Sequence, residues 1–164
     1  MANMTSYQVL DLQRALLSFG DEENARNMIN TFAMDRHFKE IVENYHRDIM
    51  ARDFDGLRAS GDSVRGVFSY FASSEMKGLI FGDMKEAIDK KDEQKLIHLH
   101  LIFLRKCEIL RRELEDYLQT TVPSADIKGC VEECLKELKK KGGVTEIEGK
   151  AKHDASSCAG CSIF

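Results

Sequence analysis

Proline is almost missing from this chain: Pro123 is the only one in 164 residues, and there is no tryptophan. A proline removes a backbone donor and clashes with the preceding turn, so a chain nearly free of it is open to helix along its whole length. No run of about 18 apolar residues occurs, so no segment reads as a membrane-spanning helix. A basic excess is missing too. The 24 Lys and Arg stand against 28 Asp and Glu, for a formal net charge of −4. Contacts to phosphate backbones need a basic surface, so nucleic-acid binding is excluded. The opening MANMTSYQVL has neither the layout of a secretory signal nor a glycine at position 2 for myristoylation. The cysteines number 5, an odd count that reads as reduced thiols and not as a disulfide framework.

What is present is helical periodicity. Val9, Leu12, Leu16 and Phe19 predict a helix over 7–19. Ala25, Met28, Ile29 and Phe32, then Phe38, Ile41, Val42, Tyr45 and Ile49, predict one bent helix or two short ones over 22–51. Asp53 or Asp55 can cap the next helix, expected over 54–72, with Leu57, Gly61, Val64, Phe68 and Phe71 on one narrow face. Ser73 or Ser74 can cap a further one carrying Met76, Ile80, Met84 and Ile88. A long helix follows, lined by Leu96, Leu99, Phe103, Cys107, Leu110, Leu114 and Tyr117 and ended by Pro123. The expected fold is all-α: an antiparallel four-helix bundle with an additional N-terminal helix, a short C-terminal helix and a disordered tail. The boundaries are 1–122 for the bundle, 123–141 for the short helix and 142–164 for the tail.

One stretch breaks the pattern. GDSVRGVFSYF, residues 61–71, puts two glycines inside a helix, where each costs about 1 kcal/mol relative to alanine. Arg58, Asp62, Arg65 and Ser69 are spaced to share one exposed face, with Gly66 one turn after Asp62 at its edge. A solvated ion pair between Asp62 and the arginines accounts for the charges but not for Gly66. The frame GDSVRG resembles a phosphate-binding loop, but Val67 and Phe68 stand where Lys and Ser or Thr are needed. A calcium loop from DFDG lacks its later ligands.

The helix order together with this run resembles the plant-type histidine-containing phosphotransfer (HPt) family, across roughly residues 7–120. That family carries His-x-x-Lys-Gly-Ser on a bundle helix; its histidine relays a phosphoryl group and its glycine lets a receiver domain dock. Here the run is DSVRGV. Asp62 takes the place of the histidine, Arg65 that of the lysine, Gly66 matches the glycine, and Val67 departs from the serine. The resemblance implies a pseudo-HPt. A lone carboxylate is a poor substitute for imidazole, because aspartyl phosphate chemistry needs further acids and Mg²⁺ around the acceptor. No carboxylate lies three or four residues from Asp62 in the sequence. The implied role is therefore non-catalytic and without cofactor. Arg58, Asp62, Arg65, Gly66 and Ser69 would bind receiver domains of response regulators or hybrid histidine kinases, to modulate or inhibit two-component phosphorelay signalling. A helical adaptor unrelated to phosphorelay is the alternative.

The histidines number 5, and none is followed by Lys-Gly. His37, His46, His98 and His100 fall on helices and His153 in the tail. They read as ordinary surface or core-edge side chains. His98 and His100 point about 160° apart on a helix and cannot share a metal.

The chain ends SSCAGCSIF. Cys161-Ser162-Ile163-Phe164 fits a C-a-a-X prenylation box, and a terminal Phe favours geranylgeranyl over farnesyl. Cys158 is a candidate for palmitoylation, and two lipids anchor where one is marginal. The expected partners are then a protein prenyltransferase and a membrane, with the protein peripheral on the cytoplasmic face beside a cytosolic pool. The lysine triplet 139–141 adds little, since residues 124–164 carry seven Lys against seven acids. Read instead as a metal or redox pair, Cys158 and Cys161 would want a second pair. Cys130 and Cys134, four apart on a helix, suit packing or a loose site, and no metal site is expected.

Overall fold

The computed structural model describes residues 6–142. The tail, with His153, Cys158 and Cys161, lies outside the described residues. The fold is all-α: α1 (Leu12–Phe19), α2 (Glu22–Met34), α3 (His37–Met50), α4 (Phe54–Phe68), α5 (Ser74–Lys77), a π-helical segment (Gly78–Met84), α6 (Lys85–Asp89), α7 (Glu93–Leu118) and α8 (Ile127–Lys140). Short polar side chains start most of them. Asp11, Asp21, Asp53, Ser73, Asp92 and Asp126 each accept from a backbone amide in the first turn. A cap of this kind stabilises by about 1 kcal/mol.

Residues 22–51 form two helices, α2 and α3, and the break falls at Arg36, whose φ of 65° no helix continues. The first helix is shorter than its periodicity suggests, because the backbone before Asp11 is engaged elsewhere. The amides of Val9 and Leu10 donate to Glu113 Oε2 on α7 at 2.9 and 2.8 Å. Across the α4–α5 turn, Ser73 donates to the Val9 carbonyl and Asp11 to that of Phe71, both at 2.7 Å. The fourth helix likewise ends at Phe68 instead of reaching residue 72, since Phe71 and Ala72 meet the N-terminal segment there.

The residues from Ser74 to Asp89 make one continuous helical rod with a π-helical middle. Met76, Ile80, Met84 and Ile88 are all buried along it. A four-residue repeat drifts about 40° per step on an α-helix, and the wider i→i+5 turn rotates less per residue, which returns the row to the core.

The core runs through every helix. Phe32, Phe38, Tyr45, Phe68, Phe71 and Phe103 form its aromatic centre, with Phe32–Phe71 centroids at 4.7 Å and Tyr45–Phe103 at 5.5 Å. Leu57, Val64, Phe68 and Phe71 face inward as their spacing predicts. The short C-terminal helix α8 packs along α7, burying Ile127, Cys134 and Leu138. Its far end is held by an ion network: Arg52 bridges Glu93 at 3.0 Å and Glu137 at 2.9 Å, and Lys141 reaches Glu93 at 2.8 Å. Among the described residues no helix is long and apolar enough to cross a membrane.

Phe68 has no exposed surface and touches aromatic rings from three other segments, so Phe68→Ala is expected to cost about 3–5 kcal/mol in urea unfolding. A near-zero change would mean that α4 buries a different face.

Candidate functional site

The interruption at 61–71 sits on α4 with its apolar row against the core and its charged row outward. Gly61 is buried and Gly66 exposed, so the two glycines have different work. A Cβ on Gly61 would lie 3.1 Å from Arg65 Nη1. The missing side chain gives the Arg65 guanidinium room to lie along the helix, where it pairs with Asp62. Arg65 is therefore not the open side chain its helical position suggests: 14% of it is exposed, against 75% of Asp62. Its charge also reaches Tyr45, opposing the burial that pushes that phenol up. A Cβ on Gly66 would meet nothing within 4 Å, and its backbone is ordinary helix. Among the described residues, neither packing nor conformation requires glycine there. Ser69 is half-buried and spends its hydroxyl on the Gly66 carbonyl at 2.8 Å. Arg58 is exposed.

The face has a second wall that helical spacing along α4 did not reveal. Arg58, Asp62 and Arg65 line a cleft of about 220 Å³ with Lys85, Ile88 and Asp89 from α6. A second carboxylate thus reaches the cleft from another helix. Lys85 Nζ donates to Asp89 Oδ2 at 2.7 Å, and that hydrogen bond holds the Asp89 carboxyl below its usual range; Arg58 and Arg65 add to the effect. The cleft carries three cations against two carboxylates. Both carboxylates already have a cationic partner, an arrangement that suits a charged docking surface better than metal-assisted phosphoryl chemistry.

A larger cleft, about 740 Å³, lies between α7 and the segment leading into α8, and shares no residue with the α4 face. Of the three arginines that line it, Arg111 is engaged by Glu108 and Glu115, each at 2.8 Å. Two of the histidines are also placed differently from a surface or core-edge expectation. His100 is fully buried, and His46 is nearly so, 3.0 Å from it. Comparisons with known protein families, with curated proteins and with solved structures find no match to this chain.

The Asp62–Arg65 pair and the open glycine give distinct stability outcomes in urea unfolding. Asp62→Ala is expected to cost up to about 1 kcal/mol, because the carboxylate is exposed while its guanidinium partner is largely covered. Gly66→Gln should be neutral or stabilising by up to about 1 kcal/mol, because it removes a helix-interior glycine into open space. A large loss on Gly66→Gln would show that the glycine serves the fold.

Proposed function

We propose that this protein is a non-catalytic pseudo-HPt: it docks receiver domains through the α4 face and so modulates or inhibits two-component phosphorelay signalling. In this reading α3, α4, the rod from Ser74 to Asp89 and α7 are the four antiparallel helices of the bundle, and α1 and α2 are the N-terminal addition. The observation that carries it is Gly66, an exposed glycine in the middle of a helix with open space where its side chain would be. A bare helix surface is of use to an approaching backbone, and here it lies one turn from Asp62 and beside a cleft of net positive charge. Receiver domains gather acids around their phosphorylation site, so Arg58, Arg65 and Lys85 supply the complementary sign. Asp62 presents a fixed negative charge where the family's histidine would carry a phosphoryl group. It cannot relay one, and its pairing with Arg65 keeps it committed.

Incubation with a phosphorylated receiver should leave no label on this protein, while Gly66→Gln should weaken receiver binding about tenfold or more in calorimetric titration. Acid-labile phosphate on the wild-type chain would make it a phosphotransfer protein instead of a pseudo-HPt, and binding indifferent to Gly66→Gln would leave a generic helical adaptor.

The same proposal places the protein at the cytoplasmic face of a membrane through prenylation of Cys161, with Cys158 as a second lipid site. In a eukaryotic cell Cys161→Ser should move the protein from the membrane fraction to the cytosol, and Cys158→Ser should do so in part. A wild-type chain found soluble, with a free CSIF end by mass spectrometry, removes the anchor and leaves receiver docking to stand by itself.

A further inference from the structure

Where α3, α7 and α8 meet, each contributes one metal-ligating side chain to the same buried point: His46, His100 and Cys134. One ligand atom from each lies within 4.8 Å of the other two. His46 Nδ1 and His100 Nε2 are 3.0 Å apart, and the rings meet edge to edge with centroids 5.2 Å apart and planes 27° from parallel. His100 and Cys134 have no exposed surface, and His46 has 8%.

Hydrogen bonds within the protein do not account for burying this pair. His46 Nε2 lies 2.9 Å from Glu133 Oε2. An ionised carboxylate only accepts, so that nitrogen carries the proton and Nδ1 is left as a lone pair. His100 Nε2–H then donates to it, and His100 Nδ1 is a buried nitrogen with no partner. Two buried imidazoles and a buried thiol converging from three helices are the donor set of a transition-metal site.

We propose that His46 Nδ1, His100 Nε2 and Cys134 Sγ are ligands of a divalent ion of the zinc class, which staples α8 to α3 and α7. Neighbouring corners of a zinc tetrahedron built on N and S ligands lie about 3.3–3.6 Å apart, so the two imidazoles, joined at 3.0 Å, would turn toward Cys134 to close on an ion. Glu133 supplies the carboxylate that orients a metal-bound imidazole through its other nitrogen. A water molecule takes the fourth position. Binding releases the Cys134 thiol proton to solvent, and the His100 proton moves from Nε2 to Nδ1. The two charges of the ion are then matched by the thiolate and the Glu133 carboxylate. A thiol binds the ion only as a thiolate, so the ion displaces a proton and its affinity rises with pH. The staple would fix the helix that leads directly into the C-terminal tail. It is independent of receiver docking and stands or falls separately from it.

Cobalt(II) is the probe, added to the full chain carrying Cys158→Ser and Cys161→Ser, so that tail thiols contribute nothing. The expected result is one equivalent bound, with intense tetrahedral visible bands and a thiolate-to-cobalt charge-transfer band in the near ultraviolet, both erased by zinc. At a hundredfold excess of zinc over its Kd the melting temperature should rise by roughly 5–10 °C. Cys134→Ser should abolish the charge-transfer band. Glu133 is an exposed position, so Glu133→Gln should leave the fold intact while lowering affinity about 10–100-fold. No stoichiometric cobalt binding, a weak octahedral spectrum, or a charge-transfer band that survives Cys134→Ser in a folded protein would each overturn the proposal.

Discussion

The constraint on which the rest of this structure depends is the width of the apolar surface on α7. Leu96, His100, Phe103, Cys107, Leu110 and Leu114 make one buried row, and Ile97, Leu101 and Leu104 make another beside it. A helix so wide in its apolar surface cannot be covered from one side. The helices before it cover one flank, and α8 covers the other. The same long helix ties down the beginning of the chain, since Glu113 collects the amides that lead into α1. Phe103 carries α7 into the aromatic centre of the core, where Phe68 presents the inner side of α4. The outward direction of Arg58 and Asp62 follows from that contact, because the buried and exposed rows of one helix are rigidly related.

Local signals made much of the helix inventory legible. Asp53 and Ser73 were each one of two possible caps, and each lies where the apolar row of its helix begins. What the sequence could not show is where backbone groups are claimed by distant partners. The stretch from Tyr7 to Leu10 has the spacing of a helix, yet its amides serve Glu113, more than a hundred residues away. The regular four-residue row from Met76 to Ile88 looked like ordinary α-helix. Nothing in its composition announced the π-helical segment that keeps it pointed inward.

The same division applies to the functional face. The unusual feature, two glycines and two opposite charges inside an amphipathic helix, was readable from residues 61–66 alone. The distinction between the glycines was not. Gly61 exists for Arg65, and this takes the guanidinium down onto the helix and away from solvent. Gly66 has no such partner. Lys85 and Asp89 belong to the same cleft but stand some twenty residues along the chain, across a turn and a rod. His46, His100 and Cys134 share no spacing signal at all, because each comes from a different helix.

Two glycines that looked alike in the sequence therefore separate on a physical criterion, and that separation bears on function. A glycine that an internal neighbour needs is explained by the fold and says nothing of partners. A helix-interior glycine that no internal contact needs is a standing cost of about 1 kcal/mol with no return inside the chain. Such a cost is a reason to look outward. Gly66 directs attention to a macromolecule on the outer face of α4, and the convergence of His46, His100 and Cys134 to an ion beneath α8. The two lie on different helices and depend on different chemistry. A docking partner at the first would meet a preformed, well-packed helix, because Phe68 and Val64 anchor α4 from beneath. An ion at the second would act on α8, which packs along α7 and is tied at its far end by an ion network.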